Sequence, residues 1–403
     1  MVSVNVFGTI FVFFAILQCL HFATISKDDL QIDPVVFCYY GSWATYRTDI
    51  GKFAVEDIDT SLCTHIVYAF MGLKNGVIAS LDEYNDFEEN WGKGSLKKFQ
   101  ELAKNNGIKA IVAIGGWNEG SKNYSKMAAT EESRNEFADS VVAFVQRFNF
   151  DGFDLDWEYP TKRGGVPEDK ENYSLLLQTL SEKLHDKGLT LSVAVAADPT
   201  IATEGYDIPK VGEFADYVSV MTFDYHTPSS DNVTGLNSPL HQLPNETERD
   251  AMLNVENSIN HWLDGGVPTN KLLVGTPLYG RTYTLENSEY NDIGAPIVAN
   301  GTAGPYTRQP GSLAYYEICM NDNWQIVKNE SEHFVYGYHD NQWVSFEDIS
   351  TIVAKAELVN LKGLAGMMFW SLESDDFRDV CGGGTNPLLN AANIVMGRLW
   401  YLK

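Results

Sequence analysis

The chain has 403 residues, 44% hydrophobic and 21% charged, a balance that excludes a mainly disordered polymer. Acidic residues outnumber basic ones by 54 to 29, giving a formal net charge of −25. Such a surface repels phosphate backbones and anionic lipid, which argues against nucleic acid and membrane as partners.

The first 26 residues carry no Asp, Glu, Lys or Arg. Val6 to Leu20 is an apolar run interrupted only by Gly8, Thr9, Gln18 and Cys19. That length suits the core of a secretory leader and is short for a bilayer span. Ala23 and Ser26 offer small residues for cleavage, so residues 1–26 are expected to be a removable leader cut near 23–26, and the protein to be secreted. Cleavage removes Cys19 and leaves Cys38, Cys63, Cys319 and Cys381, an even set with three possible pairings. In an exported chain the sequons at Asn123, Asn172, Asn232, Asn245, Asn300 and Asn329 are candidate glycosylation sites.

In chain order, strands are predicted at Val35–Trp43, His65–Leu73, Lys109–Trp117, Asp151–Pro160, Leu189–Pro199, Tyr217–His226, Lys271–Arg281 and Gly363–Ser371. Helical patterns lie between them. Thr130 can cap a helix with Glu131 and Glu132 in its first turn and Phe137, Val141, Phe144, Val145 and Phe148 on one face. Glu168–Lys187 carries Leu176, Leu180 and Leu184 and stops at Gly188. Eight near-continuous apolar strands alternating with helices predict an α/β fold, a (β/α)8 TIM barrel. The alternative is a doubly wound open sheet, but no Gly-x-Gly-x-x-Gly turn follows the first strand. The spacing breaks once, between the seventh and eighth strands. Residues 282–344, rich in Gly, Asn, Tyr and Pro, are expected to form a small α+β insertion, with barrel helices at Phe346–Leu361 and, last, Asn386–Leu399.

The fourth strand ends in Asp151-Gly152-Phe153-Asp154-Leu155-Asp156-Trp157-Glu158-Tyr159-Pro160. Alternation puts Asp154, Asp156 and Glu158 on one face, with neighbours about 6.5–7 Å apart at Cα. Phe153, Leu155 and Trp157 suit the helix layer, so the acids face the barrel interior. Three carboxyls there cannot all ionise cheaply, and repulsion raises at least one pKa. Such a row stores a proton for a general acid. A magnesium site or a solvated acidic loop are the bland alternatives, but a solvated loop would not interleave Phe, Leu and Trp. The eight His show no zinc spacing, so no metal and no cofactor is expected. Carboxylates beside aromatic strand ends point to sugar chemistry.

Asp151-x-x-Asp154-x-Asp156-x-Glu158 resembles the D-x-x-D-x-D-x-E motif of glycoside hydrolase family 18, the chitinases, and is closest to the animal, insect-type members. Five further segments resemble the family in order: Phe37–Trp43, Lys109–Trp117, Met221-Thr222-Phe223-Asp224, Gly275–Arg281, and Gly366–Trp370 followed by Asp375-Asp376-Phe377. The resemblance runs from Val35 to Leu389. It implies a monomer that binds chitin or chitin oligosaccharides and hydrolyses their β-1,4-N-acetylglucosamine linkages, with the substrate's 2-acetamido group as nucleophile.

By the same resemblance Glu158 is the general acid and base, Asp156 orients the acetamide and Asp154 shares a proton with Asp156, while Asp151 is structural. Trp370 is the floor under the reacting sugar. Trp43 and Trp117 are platforms further along the chain. Tyr39 bonds the inner acid, and Phe70, Tyr159, Met221, Phe223, Asp224, Tyr279 and Arg281 line the subsites. The resemblance pairs Cys38 with Cys63 and Cys319 with Cys381. No chitin-binding module is expected after the barrel.

Three positions depart from the family pattern. Phe223 replaces a Tyr whose hydroxyl would bond the acetamide oxygen. Ala113 replaces a Ser that would reach Asp154, and Glu373 replaces an Asp. Phe223 keeps open a second reading, a catalytically weak or inactive chitin-binding lectin or growth-factor-like protein on the same scaffold.

Overall fold

Eight parallel strands carry the fold: β1 Val35–Gly41, β2 His65–Lys74, β3 Lys109–Gly115, β4 Gly152–Asp156, β5 Thr190–Ala196, β6 Tyr217–Met221, β7 Leu272–Pro277 and β8 Gly366–Trp370. This computed structural model describes residues 34–399 other than Asn245 and Thr247. The expected leader, Cys19 and the Asn245 sequon lie outside the described residues. Each strand pairs in parallel with the next, and β1 pairs with both β2 and β8. That ring of pairings closes the sheet into a (β/α)8 barrel and rules out the open doubly wound alternative.

Alternation along the strands sorts the side chains into two layers. Cys38, Tyr40, Phe153, Leu155 and Trp157 join the outer core under the helices. Phe37, Tyr39, Val67, Ile111, Ala113, Ala194 and Met368 fill the barrel interior. The helices form as their caps and apolar faces require. Glu131–Arg147 starts behind Thr130, whose Oγ1 accepts the Ser133 N–H at 3.2 Å. Its Phe137, Val141 and Val145 are fully buried, whereas Phe144 and Phe148 sit at the margin. Asp169–His185 buries Leu176, Leu180 and Leu184.

Most predicted strands overrun the observed ones, because aromatic residues continue past the point where the backbone turns. β1 gives way at Ser42 to a short 3-10 turn that carries Trp43. β3 ends at Gly115, which has φ +111 and lies against β4; a Cβ there would stand 2.0 Å from the Asp156 carbonyl oxygen. β4 ends at Asp156, so Glu158 lies two residues beyond the ladder. A strand at Val77–Ser80, absent from the sequence reading, folds back antiparallel on the end of β2.

The long seventh strand is in fact two. β7 stops at Pro277, and Tyr279–Leu285 opens a second, six-stranded sheet. That sheet also holds Ile297–Asn300, Ser312–Ala314, Gln325–Asn329, Phe334–His339 and Gln342–Phe346, with a short helix at Tyr315–Cys319. The insertion therefore begins three residues before the expected Thr282 and runs to Phe346. Nothing in the apolar run Leu272–Leu278 signals the switch between sheets.

Cys38 is bonded to Cys63 and Cys319 to Cys381, with Cα separations of 6.0 and 5.8 Å. The first ties β1 to the entry of β2, and the second ties the insertion to the segment after β8. Among the described residues no helix is long and apolar enough to cross a membrane.

Candidate active site

Asp154 and Asp156 point from β4 into the barrel, and Glu158 follows at its mouth. Asp154 is fully buried, Asp156 is 4% exposed and Glu158 is 8% exposed. Small interior neighbours make this possible: Ala113 and Ser192 stand beside Asp154 in register, and Gly115 beside Asp156. Asp151, at the opposite end of the strand, accepts the Ala110 N–H at 2.9 Å and pairs with Lys109, so its part is structural.

Each acid has a different set of partners. Asp154 accepts the Tyr39 hydroxyl at 2.8 Å and the Ser192 hydroxyl at 2.5 Å, so both its oxygens are occupied. Ser192 thus fills the role left empty by Ala113. Sequence reading missed it, although its place two residues before Ala194 on an interior-facing register is a usable signal. Asp156 Oδ1 is buried without a hydrogen-bond partner. An unpaired carboxylate oxygen in such a place is costly unless a ligand donor meets it or the group is protonated.

Burial is the leading cause of a raised pKa in all three acids. It pushes Asp154 up to about 6, against the bonds from Ser192 and Tyr39. It raises Asp156 well above the carboxylate range, with the charges of Glu158 and Asp154 adding to the rise. It pushes Glu158 up to about 7, against a hydrogen bond with Tyr159; Asp224 adds to the rise, and Arg163 and Arg281 oppose it. The three titrate as an interacting set.

A cleft of about 1090 Å³ opens above the row. All the substrate-binding residues expected from the sequence line it: Tyr39, Trp43, Phe70, Trp117, Tyr159, Met221, Phe223, Asp224, Tyr279, Arg281 and Trp370. Asp156 and Glu158 reach it from below, while Asp154 lies under them, out of contact with it. Trp370 stacks on Phe70 with ring centres 5.5 Å apart and is flanked by Tyr39 at 5.6 Å and Trp43 at 6.1 Å. Trp157 is buried outward against Tyr124 and Tyr173. Met368 and Asn300, the latter expected only as a glycosylation candidate, also line the cleft and were not foreseen as substrate-binding residues.

One wall comes from the insertion. Asp224, held at φ +59, accepts the Tyr279 hydroxyl at 2.6 Å, Arg281 Nε at 2.6 Å and Arg281 Nη2 at 2.5 Å. Asn237, fully buried, accepts the Asp224 N–H at 2.9 Å and donates to the Tyr279 carbonyl at 3.3 Å. Phe223 meets the edge of Tyr279 with ring centres 6.2 Å apart and brings no hydroxyl to the cleft. Glu373 is buried and accepts the Gly41 N–H at 3.0 Å and the Ser371 hydroxyl at 2.6 Å beside Trp370. One group of metal-ligand type is close-packed among the described residues, Cys319, Asp376 and Cys381. Its sulfurs are joined to each other, and Asp376 accepts the N–H groups of Val380 and Cys381.

Of the described sequons, Asn123, Asn232 and Asn300 are exposed. Asn172 and Asn329 are half-buried, and Asn329 Oδ1 accepts from Ser331 and Glu332.

The profile of "Glycosyl hydrolases family 18" matches residues 35–375. The chain is 40% identical to probable chitinase 2 of Drosophila melanogaster, over 87% of this chain and 74% of that one. It is 38% identical to mouse chitotriosidase-1, over 87% and 76%. Among solved structures it is similar to the Group IV chitinase of Ostrinia furnacalis in complex with allosamidin, at 43% identity and a TM-score of 0.87, covering 91% of this chain and 99% of that one.

The raised pKa of the row carries a stability consequence. A carboxyl whose folded pKa exceeds its unfolded value binds more protons when folded, so its contribution to stability is present below about pH 4 and is lost as pH rises through about 6–7. Glu158→Gln removes that loss at one position. Its thermal midpoint at pH 8 should exceed that of the wild type by about 2–4 °C, with the gap narrowing by pH 5. A variant no more stable than the wild type at pH 8 contradicts the burial argument.

Proposed function

The chain belongs to glycosyl hydrolase family 18 and hydrolyses chitin, and we propose that it does so by retaining, substrate-assisted catalysis with Glu158 as the proton carrier. One observation carries this reading: the buried, unpartnered Oδ1 of Asp156 lies next to an acid that burial pushes up to about 7, at the foot of an aromatic cleft. That oxygen accepts the N–H of the 2-acetamido group, which turns the acetamide carbonyl toward C1.

Glu158 gives its proton to the glycosidic oxygen as the C1–O bond breaks. The acetamide oxygen attacks C1 and forms an oxazolinium ion. Asp156 offsets its positive charge, supported from below by Asp154, with which it shares a proton. Water then attacks C1 as the C1–O bond to the acetamide oxygen breaks and restores the acetamide, Glu158 takes the water's proton, and the anomeric configuration is retained. Trp370 supports the distorted sugar, Trp43 and Trp117 hold sugars further along, and Asp224 contacts the reacting sugar while Tyr279 and Arg281 hold it. The protein works as a secreted monomer after removal of its leader; its disulfides support an oxidising compartment. The lectin alternative is not favoured, because the proton carrier is present with its pKa raised into the working range.

Chitin oligosaccharides incubated with the protein should yield short products, and Glu158→Gln should be slower by at least about 10²-fold. The wild-type kcat/KM should fall as pH rises through about 7, where the free enzyme's Glu158 loses its proton. Equal rates for the two proteins would sink the assignment. Phe223 leaves the acetamide oxygen without a hydroxyl donor at that position, a loss of about 1–3 kcal/mol in the transition state by analogy with oxyanion donors. Phe223→Tyr should therefore raise kcat more than it changes KM; no gain in rate would show that the missing hydroxyl is irrelevant.

A further inference from the structure

Arg163 lies in the turn after β4, five residues beyond Glu158, with φ +51. Its guanidinium carbon stands 3.5 Å from the centre of the Trp117 ring. Its Nη1 donates to the Trp117 carbonyl at 2.6 Å and to the Glu158 carbonyl at 3.1 Å. One side chain thus covers a face of a cleft aromatic and grips the backbone of the acid's own residue. Ser121 strengthens the tie. Its N–H donates to the Arg163 carbonyl at 3.2 Å, and its hydroxyl donates to the Tyr159 carbonyl at 2.8 Å while accepting Trp157 Nε1 at 2.9 Å. The Trp117 loop and the Glu158 loop therefore form one hydrogen-bonded unit.

We propose that Arg163 is a positioning residue that presents a single face of Trp117 to the sugar chain and fixes the loop of Glu158, coupling grip on long substrates to the state of the acid. The inference rests on reading Glu158 as the proton carrier and Trp117 as a sugar platform. Trp117 is 57% exposed, so without a partner its indole would have rotamers to lose on binding. A stacked guanidinium whose Nη1 bridges two backbone carbonyls removes that freedom beforehand, and an ammonium cannot reproduce the plane. The same cation acts on Glu158 by charge. The other groups facing that carboxyl are Asp156, Tyr159, Tyr206, Asp224 and Arg281. Only Arg281 shares Arg163's sign, so losing Arg163 favours the protonated acid.

The test compares wild type, Arg163→Met and Arg163→Lys on a chitin hexasaccharide and on an aryl glycoside of the disaccharide. Arg163→Met should raise KM for the hexasaccharide about fivefold, leave the disaccharide KM unchanged, and move the alkaline limb of kcat/KM upward. Arg163→Lys should restore the limb but not the hexasaccharide KM. An equal change of KM on both substrates with the limb unmoved overturns the proposal. If the Met variant fails to fold, the Lys variant decides: a raised hexasaccharide KM supports the proposal, and an unchanged one overturns it. A wild-type protein that cleaves neither substrate retires the reading of the site itself, before any variant is compared.

Discussion

Everything at this site depends on taking carboxyls out of water. β4 is a strand of a closed barrel, so alternate residues must point inward, and here those residues are Asp154 and Asp156. Burial disfavours their charged forms more than any neighbour restores them. The cost is accepted because the interior is shaped for it. Ala113 and Gly115 make room, while Tyr39 and Ser192 satisfy the deepest acid. Above it, Asp156 keeps one buried oxygen without a protein partner, and Glu158 has its pKa raised by burial.

The barrel alone does not complete the cleft. Asp224 leaves β6 in a left-handed turn and is captured by two side chains from the insertion's first strand, Tyr279 and Arg281. Asn237 binds the backbone on both sides of that junction. The insertion is thus tied into the reaction centre through an acid and a cation that are already paired. On the opposite side, the Trp117 and Glu158 loops are laced together by Ser121 and Arg163. The acid is therefore carried on one braced wall and faces the other, which is what precise proton transfer requires.

The order of strands, the inward acid row and the outward Trp157 were legible in the sequence because a period of two leaves little freedom in a parallel strand. The strand ends were not. Trp43, Trp117 and Tyr159 continue the apolar, aromatic look of their strands, but the backbone turns before them; at β3 the turn comes where only a glycine can lie against β4. Tyr279 and Arg281 read as barrel residues because nothing between Leu272 and Leu278 marks a change of sheet. The lining aromatics were found by resemblance rather than by pattern. Ser192 could have been read from its interior-facing register beside the acid row, whereas Arg163 acts through Trp117, distant in sequence, and a single chain gives no cue to that pairing.

The central claim is that burial holds Glu158 protonated near neutral pH in the free protein. Carbon-13 NMR of side-chain carboxyls, with Glu158 assigned by its loss in Glu158→Gln, reports this directly. The account predicts a titration of that resonance centred near pH 7, coupled to smaller shifts from Asp154 and Asp156. A midpoint at the ordinary glutamate value of about 4.3 would contradict it.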